Sequence, residues 1–162
     1  MNGAKRHMEK AELENALNSL LIFTIETRHF ALNVFTVERV IRAVEVTPLV
    51  EAQKKVLGLI NYGGQIIPVI DTRELFGLPA REMDPMDQLI IVNTSSRTLA
   101  LWVDAVSDIT DPQGQDIVQG GSILPNMDYV KGAIACDDGM IFICNLEQLH
   151  SFQMENTLEN ND

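Results

Sequence analysis

The residues of this chain that could do chemistry are few and scattered. Histidine occurs only at His7, His29 and His150, and cysteine only at Cys136 and Cys144. A metal site needs three or four donors at compatible spacing, and no Cys, Asp or Glu completes one around any of these histidines. Their expected roles are solvated or structural. Asp137-Asp138-Gly139 and the stretch Asp111–Asp116 are rich in oxygen ligands, but both lack the remaining positions of a calcium loop. A hairpin turn explains Asp-Gly without an ion. The glycine pairs Gly63-Gly64 and Gly120-Gly121 precede no helix N-terminus able to hold a phosphate. No nucleophile elbow, Walker loop or dinucleotide fingerprint is present. Trp102 alternates between Leu101 and Val103, so it is either a core residue or an exposed anchor. Without polar groups that converge on a pocket, the expectation is a binding protein: no catalytic residue, no cofactor and no metal. A small-molecule site in a barrel mouth is the remaining chemical alternative.

Charge narrows the class of partner. The net charge is −11, and it is concentrated after residue 85, where twelve acids face only Arg97 and Lys131. Such a field repels phosphate backbones and anionic lipid, which argues against nucleic acid and bare membrane as partners. No apolar run is long enough to cross a bilayer, and MNGAKRHMEK lacks the apolar core of a secretory signal. A cytoplasmic protein is expected. A hairpin turning at Asp138-Gly139 would set Cys136 opposite Ile141 and Cys144 opposite Ala133, so two buried free thiols are expected rather than a disulfide.

The elements that must position any binding residue are mostly strands. Residues 5–18 read as a short helix with Leu13 and Leu17 four apart. Leu20–Glu26 and His29–Val34 then form a hairpin about Thr27-Arg28. Pairing Glu26 with His29 brings Leu21, Phe23, Ile25, Phe30, Leu32 and Val34 onto one face. Val37, Val40, Val44 and Val46 suggest a third strand with a bend near Thr47-Pro48. A second hairpin spans Leu57–Ile70 about Gly63-Gly64, with Pro68 requiring an edge or a bulge. Asp71 caps a short helix, to which Glu74 can reach back, and Gly77 ends it.

This pattern occurs twice. Shifted by 69 residues, Leu21–Val40 lies over Ile90–Ile109; shifted by 74, Gly58–Gly77 lies over Gly132–Ser151. The change in shift places a longer middle loop in the second copy, around Asp111–Pro125. A β unit repeated in one chain predicts a mainly β fold of two small five-stranded barrels packed together, with short helices. The expected division is an N-terminal extension over 1–19, barrels over about 20–80 and 86–151, and a disordered acidic tail over 152–162. LPAREMDP (Leu78–Pro85) is the expected junction, and each half should need the other to complete its core.

The motifs also resemble a known family. GLINYGGQIIPVIDTRELFG resembles the signature of CheW-type chemotaxis coupling proteins, a Gly-x-x-Asn-x-Arg-Gly turn leading into an Ile-x-Pro-x-x-Asp-x-Arg strand and helix. FALNVFTVERVIRAVEVTPL resembles that family's second and third strands. WVDAVSDI resembles its Val-Asp-x-Val segment, and VKGAIACDDGMIFICNLEQLH its closing hairpin and helix. The resemblance covers about residues 20–150 and implies two SH3-like barrels without catalytic activity. It also implies two partners in the cytoplasm: the cytoplasmic tip of a methyl-accepting chemoreceptor and the regulatory domain of a CheA-type histidine kinase, with recruitment to membrane receptor arrays. The receptor-contacting positions it implies here are Val37, Arg39, Val40, Gly58, Asn61, Tyr62, Gly63 and Gly64. Two positions depart from the family pattern. Gly63 stands where the family usually has Arg, and Arg39 where it often has Glu, which leaves Glu38 without an obvious partner in the turn. These departures motivate the alternative of a regulator with the same fold, altered partners and a non-chemotactic pathway.

Overall fold

The computed structural model describes residues 19–49, 55–112, 117–119, 128–137 and 139–148. The expected helix over 5–18 and the tail from residue 152 lie outside the described residues, as does most of the loop at 111–125.

Apolar alternation becomes strand wherever the sequence carries it. β1 (Leu20–Ile25) and β2 (Arg28–Asn33) form the first hairpin. Ile25 pairs with Arg28 and Phe23 with Phe30, so the turn is Glu26-Thr27 rather than Thr27-Arg28. The difference is two residues in pairing, which leaves every side chain on its expected face. Its cause is tertiary. Glu26 takes a positive φ of 57°, which its neighbours support. The Glu26 N–H donates to Asp104 Oδ2 at 2.8 Å, and its carboxylate accepts from Arg73 Nε at 3.1 Å.

A single 3-10 turn (Val34–Thr36) leads into β3 (Val37–Arg42), shorter than the valine pattern predicts. β4 (Val56–Tyr62) and β5 (Gln65–Asp71) meet at Gly63-Gly64, where φ values of 58° and 89° make a turn that glycine adopts without steric cost. α1 (Thr72–Phe76) starts at Asp71, whose carboxylate accepts from the N–H groups of Arg73 and Glu74, and ends at Gly77 in the left-handed region. The second copy supplies β6 (Gln88–Asn93), β7 (Thr98–Val103), β8 (Ala105–Thr110), β9 (Ile117–Gln119), β10 (Val130–Cys136) and β11 (Gly139–Cys144). The repeat is real: moved by 74, the first residues of β4 and β5 become the first residues of β10 and β11.

The strands assemble in an unexpected way. One sheet has the order β3-β6-β7-β5-β4 and the other β8-β1-β2-β11-β10-β9. The sheets therefore do not divide the chain into 20–80 and 86–151. Each copy lends its first hairpin to the other, so β6–β7 complete the first barrel and β1–β2 the second. The first barrel closes where the chain beyond β3 returns to β4. Thr47 and Leu59 exchange two backbone hydrogen bonds there, at 2.9 and 2.8 Å. In the second barrel β9 does the same against β10, with Val118 opposite Ala133. That closing segment is long enough to count as a strand, which makes six rather than five.

Both faces of the central strands are buried, so three apolar clusters form. Leu21, Phe23, Ile25, Phe30 and Leu32 meet Ile90, Val92, Leu99, Leu101 and Val103 in a core shared by the two barrels. Ile60, Ile67, Val69, Leu89, Ile91, Ala100 and Trp102 fill the first barrel, and Leu20, Ile22, Ala31, Ile134 and Ile143 the second. Trp102, left open by the sequence, is 1% exposed. Pro68 lies opposite Leu59, whose backbone groups are committed to Thr47, so the missing N–H faces away from β4. Both cysteines are free, as expected, but their register and the exposure of Cys136 differ from expectation. Cys136 pairs with Gly139 and Cys144 with Val130, and only Cys144 is buried. Gly139 thus opens β11 rather than forming the turn. Burial pushes the Cys144 thiol up to about 12.

Candidate docking surface

β3 is the strand from which the expected binding residues project. Among the described residues it bonds only to β6, and a bulge between Val37 and Arg39 leaves Glu38 as an extra residue. Val37 and Val40 are half-buried and rest against the shared core from its rim, while Glu38 and Arg39 are exposed. The bulge turns Glu38 toward the mouth of the first barrel. There its carboxylate faces the Tyr62 phenol, and burial together with that carboxylate raises the phenol above its ordinary value against the opposing pull of Arg39. Glu38 also accepts from Asn93 Nδ2 at 3.3 Å, and Asn93 Oδ1 accepts from Thr98 Oγ1 at 2.7 Å. The partner that the sequence failed to find for Glu38 is thus outside the turn, in Asn93 of β6, with the Tyr62 phenol at the end of β4 facing it.

The eight positions do not act alike. Val37, Arg39 and Val40 lie along β3, with Tyr62 beside them across the barrel closure. Asn61, Gly63 and Gly64 form an exposed turn, in which Asn61 Oδ1 accepts from the Gly64 N–H at 2.9 Å. Gly58 is buried. A Cβ there would stand 2.2 Å from the Thr47 carbonyl oxygen, so Gly58 is the residue that lets the barrel close.

A second set of polar residues, missed from sequence, fixes the frame behind this surface. Arg73 of α1 is fully buried and pairs with Glu26 and Asp104. Arg81 bridges Asp104 and Asp87, at 2.8 Å in each case. The Trp102 Nε1–H donates to Asp87 at 2.9 Å, and the Arg73 and Arg81 guanidinium carbons lie 5.0 and 5.6 Å from the Trp102 ring centre. Burial alone would raise Asp87. The Arg81 hydrogen bond, the Asp84 N–H and Trp102 outweigh it and hold the carboxyl at about 2. The network ties the first-hairpin turn, α1, the 78–87 connection and the β7–β8 corner into one unit. Nothing in the repeat announces it, because Glu147 stands at the counterpart of Arg73 and Phe35 at that of Asp104.

Among the described residues no three His, Cys, Asp or Glu side chains are grouped to hold a metal ion. No helix among them is long and apolar enough to cross a membrane. What the surface offers is an edge strand with two partly exposed valines, an exposed glycine turn and a positioned charge.

Comparison with known proteins agrees with that description. The profile of the CheW-like domain matches residues 19–153. The chain is 28% identical over 151 residues to the chemotaxis protein CheW of Rhizobium meliloti, covering 92% of this chain and 94% of the relative. It is 24% identical to the chemotaxis protein CheW of Klebsiella aerogenes, over 85% of this chain and 84% of that one. The crystal structure of the scaffolding protein TtCheW from Thermoanaerobacter tengcongensis superposes with a TM-score of 0.72 at 29% identity, covering 79% of this chain and 88% of that chain.

Proposed function

This chain belongs to the CheW-like domain family of chemotaxis scaffold proteins, and from that premise we propose that it is a cytoplasmic adaptor without catalytic activity. It couples the cytoplasmic tip of a chemoreceptor to the regulatory domain of a CheA-type histidine kinase. The observation that carries this reading is β3: an edge strand bonded on one side, holding Val37 and Val40 half exposed at the rim of the shared core. A receptor tip is a helical hairpin, and an apolar stripe on it would cover these valines.

The test is a calorimetric titration with a soluble receptor-tip fragment. Val37→Lys puts a charge in the apolar contact and Tyr62→Ala removes the ring beside it. Each should weaken binding by about tenfold or more, equal to ~1.4 kcal/mol, while the circular-dichroism melt stays nearly unchanged. Binding that survives both substitutions would remove β3 from the docking surface.

Arg39 and Gly63 favour a second reading, a regulator of the same family with changed partners, because charge placement decides which partner docks. Kinase activity measured with receptor, with and without this protein, separates the two. Activation supports coupling; no effect supports the second reading.

A further inference from the structure

The two barrels share one design but differ in a single ladder. In the second barrel β11 and β2 run parallel, with Ile141 opposite His29, Phe142 opposite Phe30 and Ile143 opposite Ala31. The repeat shifts of 74 and 69 carry these pairs onto Ile67–Thr98, Pro68–Leu99 and Val69–Ala100. Only the last exists, for β5 and β7 first meet at Val69 and Ala100. Pro68 stands where the second copy has Phe142, and it has no N–H to give the ladder. The strands therefore part, and a groove opens between them, lined by Gln65, Ile66, Pro68, Asn93, Arg97 and Thr98.

Three features make this groove a docking site rather than a gap. Ile66 is 60% exposed on its wall, directly across the strand pair from Asn61 of the turn. Asn93 lines the groove and donates its Nδ2–H to Glu38 of β3, so the groove continues the β3 face. Arg97 is exposed and makes no ion pair among the described residues. It is one of two cations in the strongly acidic half of the chain. An unpaired cation at this place attracts a carboxylate at contact distance, where the local charge outweighs the screened repulsion of a molecule that carries −11 overall.

We propose that the Pro68 groove is the outer half of the docking surface, and that it takes from the same protein partner an apolar side chain onto Ile66 and a neighbouring carboxylate onto Arg97. The occupant is a helix segment carrying an apolar residue and an Asp or Glu on one face. This rests on the adaptor reading for the identity of the partner, but it assigns residues that the β3 face alone does not include.

The experiment uses the full chain and a receptor-tip helical-hairpin fragment, titrated calorimetrically at low and high salt. Arg97→Glu and Ile66→Ser are expected to raise Kd at least tenfold each, and Arg97→Glu to reduce the salt dependence of binding. Arg97→Lys should retain most of the affinity. Both positions are exposed, so melts of the variants should match the parent within a few degrees. If Val37→Lys weakens binding while Arg97→Glu and Ile66→Ser leave it within twofold, the groove is not part of the surface and the adaptor reading stands. If the unmodified chain fails to bind the fragment, the adaptor reading falls and the groove assignment with it.

Discussion

At the scale of single residues, the sequence conveys type better than circumstance. Gly58 reads as part of a turn signature, yet its task is steric. The chain carrying Thr47 passes so close that any Cβ meets a backbone carbonyl, which cannot rotate away. Gly58→Ala should therefore cost about 1–3 kcal/mol, as overpacking does, and lower Tm by roughly 5 °C in a scanning-calorimetry comparison. An unchanged Tm would mean the closure is looser than the geometry requires. Asp87 offers a second test, through pH. Its folded pKa of about 2 lies below the ordinary 3.8, so it stabilises the fold above about pH 4. That stabilisation is lost as pH falls through 2. The group's share is ~2 kcal/mol from the linkage between protonation and folding. The urea midpoint of the parent should be lower at pH 2.5 than at pH 5, and the drop should shrink in Asp87→Asn. Neither role was legible beforehand, because each depends on a neighbour remote in sequence: Thr47 for one, and Arg81 with Trp102 for the other.

At the scale of elements, legibility was high for faces and lower for ends. The hairpin residues Leu21, Phe23, Ile25, Phe30 and Leu32 fell on the expected face because alternation fixes parity, and parity survives a two-residue slip. The turn itself moved because Glu26, a residue with no intrinsic preference for positive φ, is held there by Asp104 and Arg73. Local turn chemistry cannot reveal a turn that distant charges impose. Where chemistry and conformation agree, as at Gly63-Gly64 and at the Asp71 cap, the expected boundaries held. Asp71→Ala removes the acceptor for two N–H groups at the start of α1. It should cost about 1 kcal/mol, read as a shift of the urea midpoint with an unchanged slope. A changed slope would show that α1 unfolds separately from the barrels.

At the scale of the whole molecule, the repeat was visible and the exchange between its copies was not. A duplicated unit has the same spacing whether each copy closes on itself or lends its first hairpin to the other, so periodicity cannot choose between them. The choice rests on packing. β1 and β2 bury apolar side chains on both faces, Leu20, Ile22 and Ala31 on one and Leu21, Phe23 and Leu32 on the other, and such a hairpin must sit between two cores. Placed in the second barrel, it fills that barrel with one face and the shared core with the other. The same holds for β6 and β7 in the first barrel. Separate fragments 20–80 and 86–151 would each lack two strands of the barrel to which most of their own strands belong, β6 and β7 in one case and β1 and β2 in the other, along with the other side of the shared core. Neither fragment should then show dispersed amide resonances or a cooperative melt alone, whereas the whole chain should melt in one transition, since no boundary divides its core. Mixing the fragments supplies every strand, and recovery of a folded complex is the expected outcome. A fragment that folds alone would mean that each copy can close on its own hairpin, and the exchange would then be an alternative arrangement rather than the condition of stability.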